Sequence, residues 1–170
     1  MKTILFVCTG NTCRSVMAEA LFKHILSNRK DKLKDIKAIS AGIYAWEGDR
    51  ASYGAEEVLK ERGIDATGYS SRLLTPRLVE EADLVLTMTS NHKRAVLEMC
   101  PGAGAKVHTL KEYVLNRADK GLHMSDVGPR EINYDIKDPY GQSVDVYRES
   151  AEEIEKYLHI LADKISSIDW

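Results

Sequence analysis

The chain has 170 residues, of which 44% are hydrophobic and 29% charged, with a formal net charge of −2. That length supports one compact domain with a proper core, and the charge argues against a broad nucleic-acid or membrane-surface footprint. Any affinity for an anion must be local, built from a few oriented donors.

The opening residues MKTILFV are too short an apolar run for a signal-peptide core, and no small-residue cleavage site follows them. No stretch approaches the roughly 18 apolar residues that span a bilayer. Residues 2–7 read instead as a buried strand. From 15 to 28, Met17, Leu21 and Ile25, with Ala18, Phe22 and Leu26 beside them, recur at helical spacing. Residues 36–40 are a second strand, closed by Ala41 and Gly42, and 52–62 a helix stopped by Gly63. Pro76 suits the first turn of a short helix over 76–82. A third strand over 83–88 precedes a helix over 91–99, with Ser90 as its expected cap. A fourth strand follows at 106–110, and a last helix at 144–168 turns Ile154, Leu158, Leu161, Ile165 and Ile168 inward. Four strands separated by helices predict a three-layer, doubly wound α/β domain with a parallel sheet. Between 115 and 137 the periodicity lapses, which reads as an insertion in an otherwise single domain over 1–170.

Ligands in doubly wound folds bind beyond the carboxyl ends of the strands. The first strand-to-helix turn is Val7-Cys8-Thr9-Gly10-Asn11-Thr12-Cys13-Arg14-Ser15. Unpaired N–H groups at a helix start, the helix dipole and a nest of successive amides together favour an anion. Gly10 relieves the backbone where a positive φ is needed, and Arg14 adds a planar fork matched to two phosphate oxygens. Thiols at helix starts or beside cations ionise more readily than free ones. Cys8 is therefore placed for nucleophilic attack on phosphorus, assisted by a hydrogen bond from Ser15. The loop lacks the Walker pattern of nucleotide hydrolases.

A leaving group needs a proton, and Asp138 is the candidate donor. Pro139 restricts it to an extended conformation, a constraint that Asp135, the internal rival, lacks. Three cysteines without an export signal make no disulfide framework, so a reducing cytoplasm is expected. His24, His92, His108, His123 and His159 show no metal-ligand spacing with those cysteines. No metal and no cofactor are expected.

These residues resemble the low-molecular-weight protein tyrosine phosphatase family. The resemblance is carried by the loop at 7–15, M-A-E-A at 17–20, S-A-G at 40–42, A-D-L-V-L-T-M at 82–88 and D-P-Y-G at 138–141. It implies a four-stranded parallel sheet and a cysteinyl-phosphate intermediate. It also implies phosphorylated proteins as substrates, Asp138 as general acid, and hydrogen bonding by Asn11, Ser15 and Ser40 behind the cradle. Cys8 and Cys13 would pair reversibly under peroxide, as a sulfenic acid does with a neighbouring thiol.

Thr12 is similar to the bacterial protein-arginine phosphatase branch, where tyrosine phosphatases usually carry isoleucine. Its hydroxyl suits a polar guanidino leaving group better than a methyl does. The stretch LKEYV at 110–114 resembles the same branch. Trp46 and Tyr140 supply aromatic walls that suit phosphotyrosine or a guanidinium, so a tyrosine phosphatase of the same mechanism is the alternative. Arsenate reductase is a more distant one, because Thr89 stands near the first relay cysteine of that chemistry and only Cys100 near the second. Val16 replaces the family's usual proline. The 115–137 stretch precedes Asp138 and reads as a lid, a partner surface or a disordered segment. A monomer is expected.

Overall fold

The structure, a computed structural model, describes residues 1–29, 32–115 and 133–168. Four strands form one sheet: β1 (Lys2–Cys8), β2 (Ile36–Gly42), β3 (Leu84–Thr87) and β4 (Val107–Thr109). Their order is β2-β1-β3-β4 and every pairing is parallel. Among the described residues the helices are α1 (Arg14–Ser27), α2 (Tyr53–Glu61), α3 (Pro76–Glu81), α4 (Ser90–Met99), α5 (Leu110–Leu115) and α6 (Val144–Ser166). None is long and apolar enough to cross a membrane.

Successive side chains of a strand point to opposite faces of its sheet, and β1 is buried on both. Ile4, Phe6 and Cys8 face a cluster that includes Met17, Leu21 and Phe22 of α1, Val58 and Leu59 of α2, and the inner stripe of α6. Leu5 and Val7 face the smaller cluster holding Val79 of α3 and Val96 of α4. This is the expected three-layer, doubly wound α/β arrangement. Along α6 the inner stripe is Ile154, Leu158, Leu161 and Ile165. Each fully buried side chain of this kind contributes on the order of 1.5–3 kcal/mol.

The chain departs from expectation at four places. Ile168 lies beyond the end of α6 and is exposed, because the helix stops at Ser166 before its stripe returns to the core. The cap of α4 is Thr89, whose hydroxyl accepts the His92 N–H, and Ser90 is the first helical residue. β4 ends at Thr109, and residues 110–115 form α5, begun where the Thr109 hydroxyl accepts the Glu112 N–H. The expected insertion at 115–137 falls mainly on 116–132, outside the described residues. Its described end is packed: Ile136 is buried, and its N–H donates to Met88 O at 2.8 Å.

β2 and β3 flank β1 on opposite sides, so the chain changes direction across the sheet at the carboxyl end of β1. That is the topological switch point. Gly42 ends β2 there, beside Cys8 in register. A Cβ on Gly42 would stand 2.6 Å from Thr9 O, 2.7 Å from Asn11 N and 2.8 Å from Gly10 C. All three are backbone atoms of the loop after β1, so none swings aside. Gly42→Ala is therefore expected to lower stability by about 1–3 kcal/mol, as overpacking does, and to reduce turnover through the displaced loop. Chemical denaturation and steady-state kinetics on the same preparation check both.

Candidate active site

Cys8 is the last residue of β1, and the chain from Thr9 to Cys13 curls back over the end of β2 before α1 begins at Arg14. Main-chain bonds pin this curl from below. Ile43 N–H donates to Cys8 O at 3.0 Å, Tyr44 N–H to Thr9 O at 2.9 Å, and Ser52 N–H to Thr12 O at 2.8 Å. The positive φ falls on Asn11, at 55°, and Gly10 is not among the residues with positive φ. Asparagine tolerates that left-handed region better than most residues, and here its side chain holds it.

Asn11 is fully buried. Its Oδ1 accepts the Arg72 N–H at 2.8 Å, which fixes the orientation of the amide. Its Nδ2 donates one hydrogen to Ser15 Oγ at 2.8 Å and the other to Ser40 Oγ at 2.9 Å. Ser40 in turn donates to Glu19 Oε2 at 2.5 Å. Burial keeps the Tyr69 phenol protonated, its pKa pushed well above the usual value, so Tyr69 donates to Ser40 at 2.9 Å. Ser15 already accepts from Asn11, which leaves its own hydrogen for Cys8 Sγ at 2.9 Å. The chain of donors from Asn11 through Ser15 thus ends on the Cys8 sulfur.

Arg14 is almost wholly buried. Its Nη1 donates to Ile136 O at 2.9 Å, and its Nη2 lies 3.0 Å from Asp138 Oδ2. Its Nε is buried without a partner among the described residues. Asp138 Oδ1 accepts the Tyr140 N–H at 3.1 Å, which orients the carboxylate. Asp135 is engaged elsewhere: its Oδ1 accepts the Ser90 N–H at the start of α4, at 2.7 Å. The two carboxylates are thus held by different partners.

Cys8, Thr9, Gly10, Thr12, Cys13, Arg14 and Asp138 line one cavity of about 270 Å³. Trp46, Tyr140, Tyr44 and Asp49 form the rest of its wall. Ser15, Asn11 and Ser40 stand behind the loop. Cys13 Sγ bonds to Ser52 Oγ and to Tyr147 OH, both at 3.3 Å. Burial, and then the bond to Cys13, pushes the Tyr147 phenol up to about 12, so it is the donor to that sulfur. Cys8, Cys13 and Cys100 are free thiols, and Cys100 lies at the end of α4, away from the cavity lining.

Sequence reasoning missed Tyr44, Asp49, Arg72 and His92. Thr9 Oγ1 and His92 Nε2 are 2.9 Å apart, so α4 buttresses the loop from the side opposite α1. Burial, with the Arg14 guanidinium beside it, pulls the His92 imidazole down to about 4, against the opposing pull of Asp138 and Asp135. Nothing in the sequence marked His92, because its partner Thr9 lies 83 positions away.

The arrangement brings a thiol, a guanidinium and a carboxyl to one concave surface, which suits transfer of a phosphoryl group to sulfur. Comparison with known proteins agrees. Residues 3–168 match the family described as low molecular weight phosphotyrosine protein phosphatase. A protein-arginine-phosphatase of Geobacillus stearothermophilus is 41% identical over 164 residues, 96% of either chain. Its counterpart in Bacillus subtilis is 41% identical over 162 residues, 95% of either chain. A solved mutant of the YwlE arginine phosphatase with a phosphorylated active-site serine superposes with a TM-score of 0.82. It is 39% identical, with 98% of this chain and 97% of that one covered.

A buried imidazole held neutral contributes its stability in full above the ordinary histidine value of 6.5 and loses it as pH falls toward about 4. Thermal melts across that window should drop more steeply for the parent protein than for His92→Gln. Parallel curves would remove His92 as the source.

Proposed function

The chain belongs to the low molecular weight phosphotyrosine protein phosphatase family, and we propose that this cysteine-dependent phosphatase hydrolyses phosphoarginine in proteins. The observation that carries the reading is Thr12, which lines the cavity together with Cys8, Arg14 and Asp138. Likeness to two protein-arginine-phosphatases across nearly the whole chain supports it. A branched aliphatic side chain there would face a polar guanidino group with no partner to offer, and an unpaired polar group in a closed site is costly.

In this mechanism the dianionic phosphoryl group settles into the loop amides and takes the Arg14 fork, including its buried Nε. Asp138, displaced from Arg14 by the anion, holds a proton beside it. The Cys8 sulfur attacks phosphorus, the P–N bond breaks, and the Asp138 proton goes to the departing guanidino nitrogen. Water then attacks the cysteinyl phosphate, Asp138 takes a proton from that water, and the S–P bond breaks to release orthophosphate and the thiolate. Gly10 and Thr9 shape the cradle, and Cys13 closes it. Under peroxide, Cys8 oxidised to a sulfenic acid condenses with the Cys13 thiol, releasing water and leaving a reducible disulfide. That chemistry suits the reducing cytoplasm, and the match over 3–168 supports one phosphatase domain along the chain.

The aromatic walls Tyr44, Trp46 and Tyr140 favour a second reading, a phosphotyrosine phosphatase with the same covalent chemistry. Turnover of matched phosphoarginine and phosphotyrosine peptides separates the two. The parent enzyme is expected to prefer phosphoarginine, and Thr12→Ile to move the kcat/KM ratio toward phosphotyrosine by at least about tenfold, the scale of one lost polar contact of about 1.4 kcal/mol. A parent preference for phosphotyrosine refutes the assignment.

Two further variants test the chemistry. Cys8→Ser is expected to abolish turnover while orthophosphate still binds, measured by calorimetry. Asp138→Ala should slow esters with poor leaving groups by about 10²–10⁴-fold and activated aryl phosphates far less. Uniform slowing would take the proton from another group.

A further inference from the structure

Asp49 stands in the cavity wall without a place in the chemistry above. A carboxylate beside a dianion site is unfavourable by simple repulsion, so its presence calls for a compensating partner. Its position is built with care. Gly48 turns the chain at a φ of 88° and donates its N–H to Ser71 O at 3.0 Å, and the Ser71 N–H returns to Asp49 O at 2.8 Å. The Ser71 hydroxyl donates to Trp46 O, and Ser71 itself is buried. The turn from Trp46 to Asp49 is thus anchored at both ends.

The charged neighbours of Asp49 in that turn are occupied. Glu47 Oε1 accepts the Leu73 N–H at 2.7 Å, and Arg50 pairs with Glu56 at 3.1 Å. The Asp49 carboxylate has no hydrogen-bond or salt-bridge partner among the described residues. It therefore leaves free acceptor oxygens in the cavity wall for whatever occupies the cavity beside the phosphoryl group. A phenol ring offers those oxygens nothing. A guanidino group offers N–H donors in a plane, the geometry that carboxylates bind two at a time.

We propose that Asp49 is a specificity residue, its carboxylate accepting the guanidino N–H groups that do not carry the phosphate while Trp46 and Tyr44 flank the plane. This rests on the phosphoarginine reading and adds to it a partner for the leaving group on the wall formed by the 46–49 turn. Because Asp49 is exposed, the gain is modest, about twofold to fivefold in affinity, and it weakens as salt is added.

The test compares the parent enzyme, Asp49→Asn and Asp49→Glu on phosphoarginine and phosphotyrosine peptides of one sequence. In Asp49→Asn the kcat/KM ratio of phosphoarginine to phosphotyrosine should fall about twofold to fivefold, chiefly through KM for phosphoarginine. Asp49→Glu should recover most of the ratio, and added salt should narrow the gap between the parent and Asp49→Asn. An unchanged ratio in Asp49→Asn, while the parent prefers phosphoarginine, overturns the role of Asp49 alone. A parent that prefers phosphotyrosine overturns the substrate reading and this inference with it.

Discussion

The side-chain amide of Asn11 holds the site together. Its carbonyl oxygen and its two amide hydrogens are all taken, by the Arg72 main chain, Ser15 and Ser40. Because Asn11, Ser15 and Ser40 are buried, an amide hydrogen that loses its partner there is orphaned, at a cost on the order of 1–3 kcal/mol. The amide also keeps its own backbone in the left-handed region that a tight anion loop demands. One residue thereby sets the curvature of the loop, its attachment to β2 and the direction in which hydrogen bonds run toward the Cys8 sulfur.

From that constraint follows a division of labour across the cavity. Its floor is rigid: Gly42 leaves no slack beneath the loop, α4 supports it through His92 and Thr9, and Ile136 steadies the Arg14 guanidinium. Its rim is open, with Tyr44, Trp46 and Tyr140 largely exposed. Phosphoryl chemistry needs the first property, because preset dipoles need not reorganise as charge moves. Discrimination among substrates needs the second, since side chains on the rim can differ without disturbing the floor. Asp138 bridges the two zones: one carboxylate oxygen touches Arg14 and the other the Tyr140 main chain.

The sequence made the floor legible where it is contiguous. Cys8 through Ser15 stand in one turn between a strand and a helix, so strand periodicity and helix periodicity located the turn without tertiary information. Pro139 marked Asp138 in the same local way. The supporting residues were not legible, because folding brings them from far along the chain. Arg72 meets Asn11 from 61 positions away, and His92 meets Thr9 from 83. α5 was hidden for another reason: a six-residue helix shows too little of a 3.6-residue repeat to register beside a short strand. Ile168 was misplaced because periodicity says which face a residue takes only while the helix lasts.

On the proposed reading, a pocket floor that takes the phosphoryl end of a protein side chain would also take free orthophosphate, the same tetrahedral anion. In the proposed mechanism the buried Arg14 guanidinium and the loop amides that take the phosphoryl group would also retain its inorganic product. Ambient orthophosphate would then be a standing competitor, and throughput would depend on how fast the pocket empties as well as on how fast it reacts.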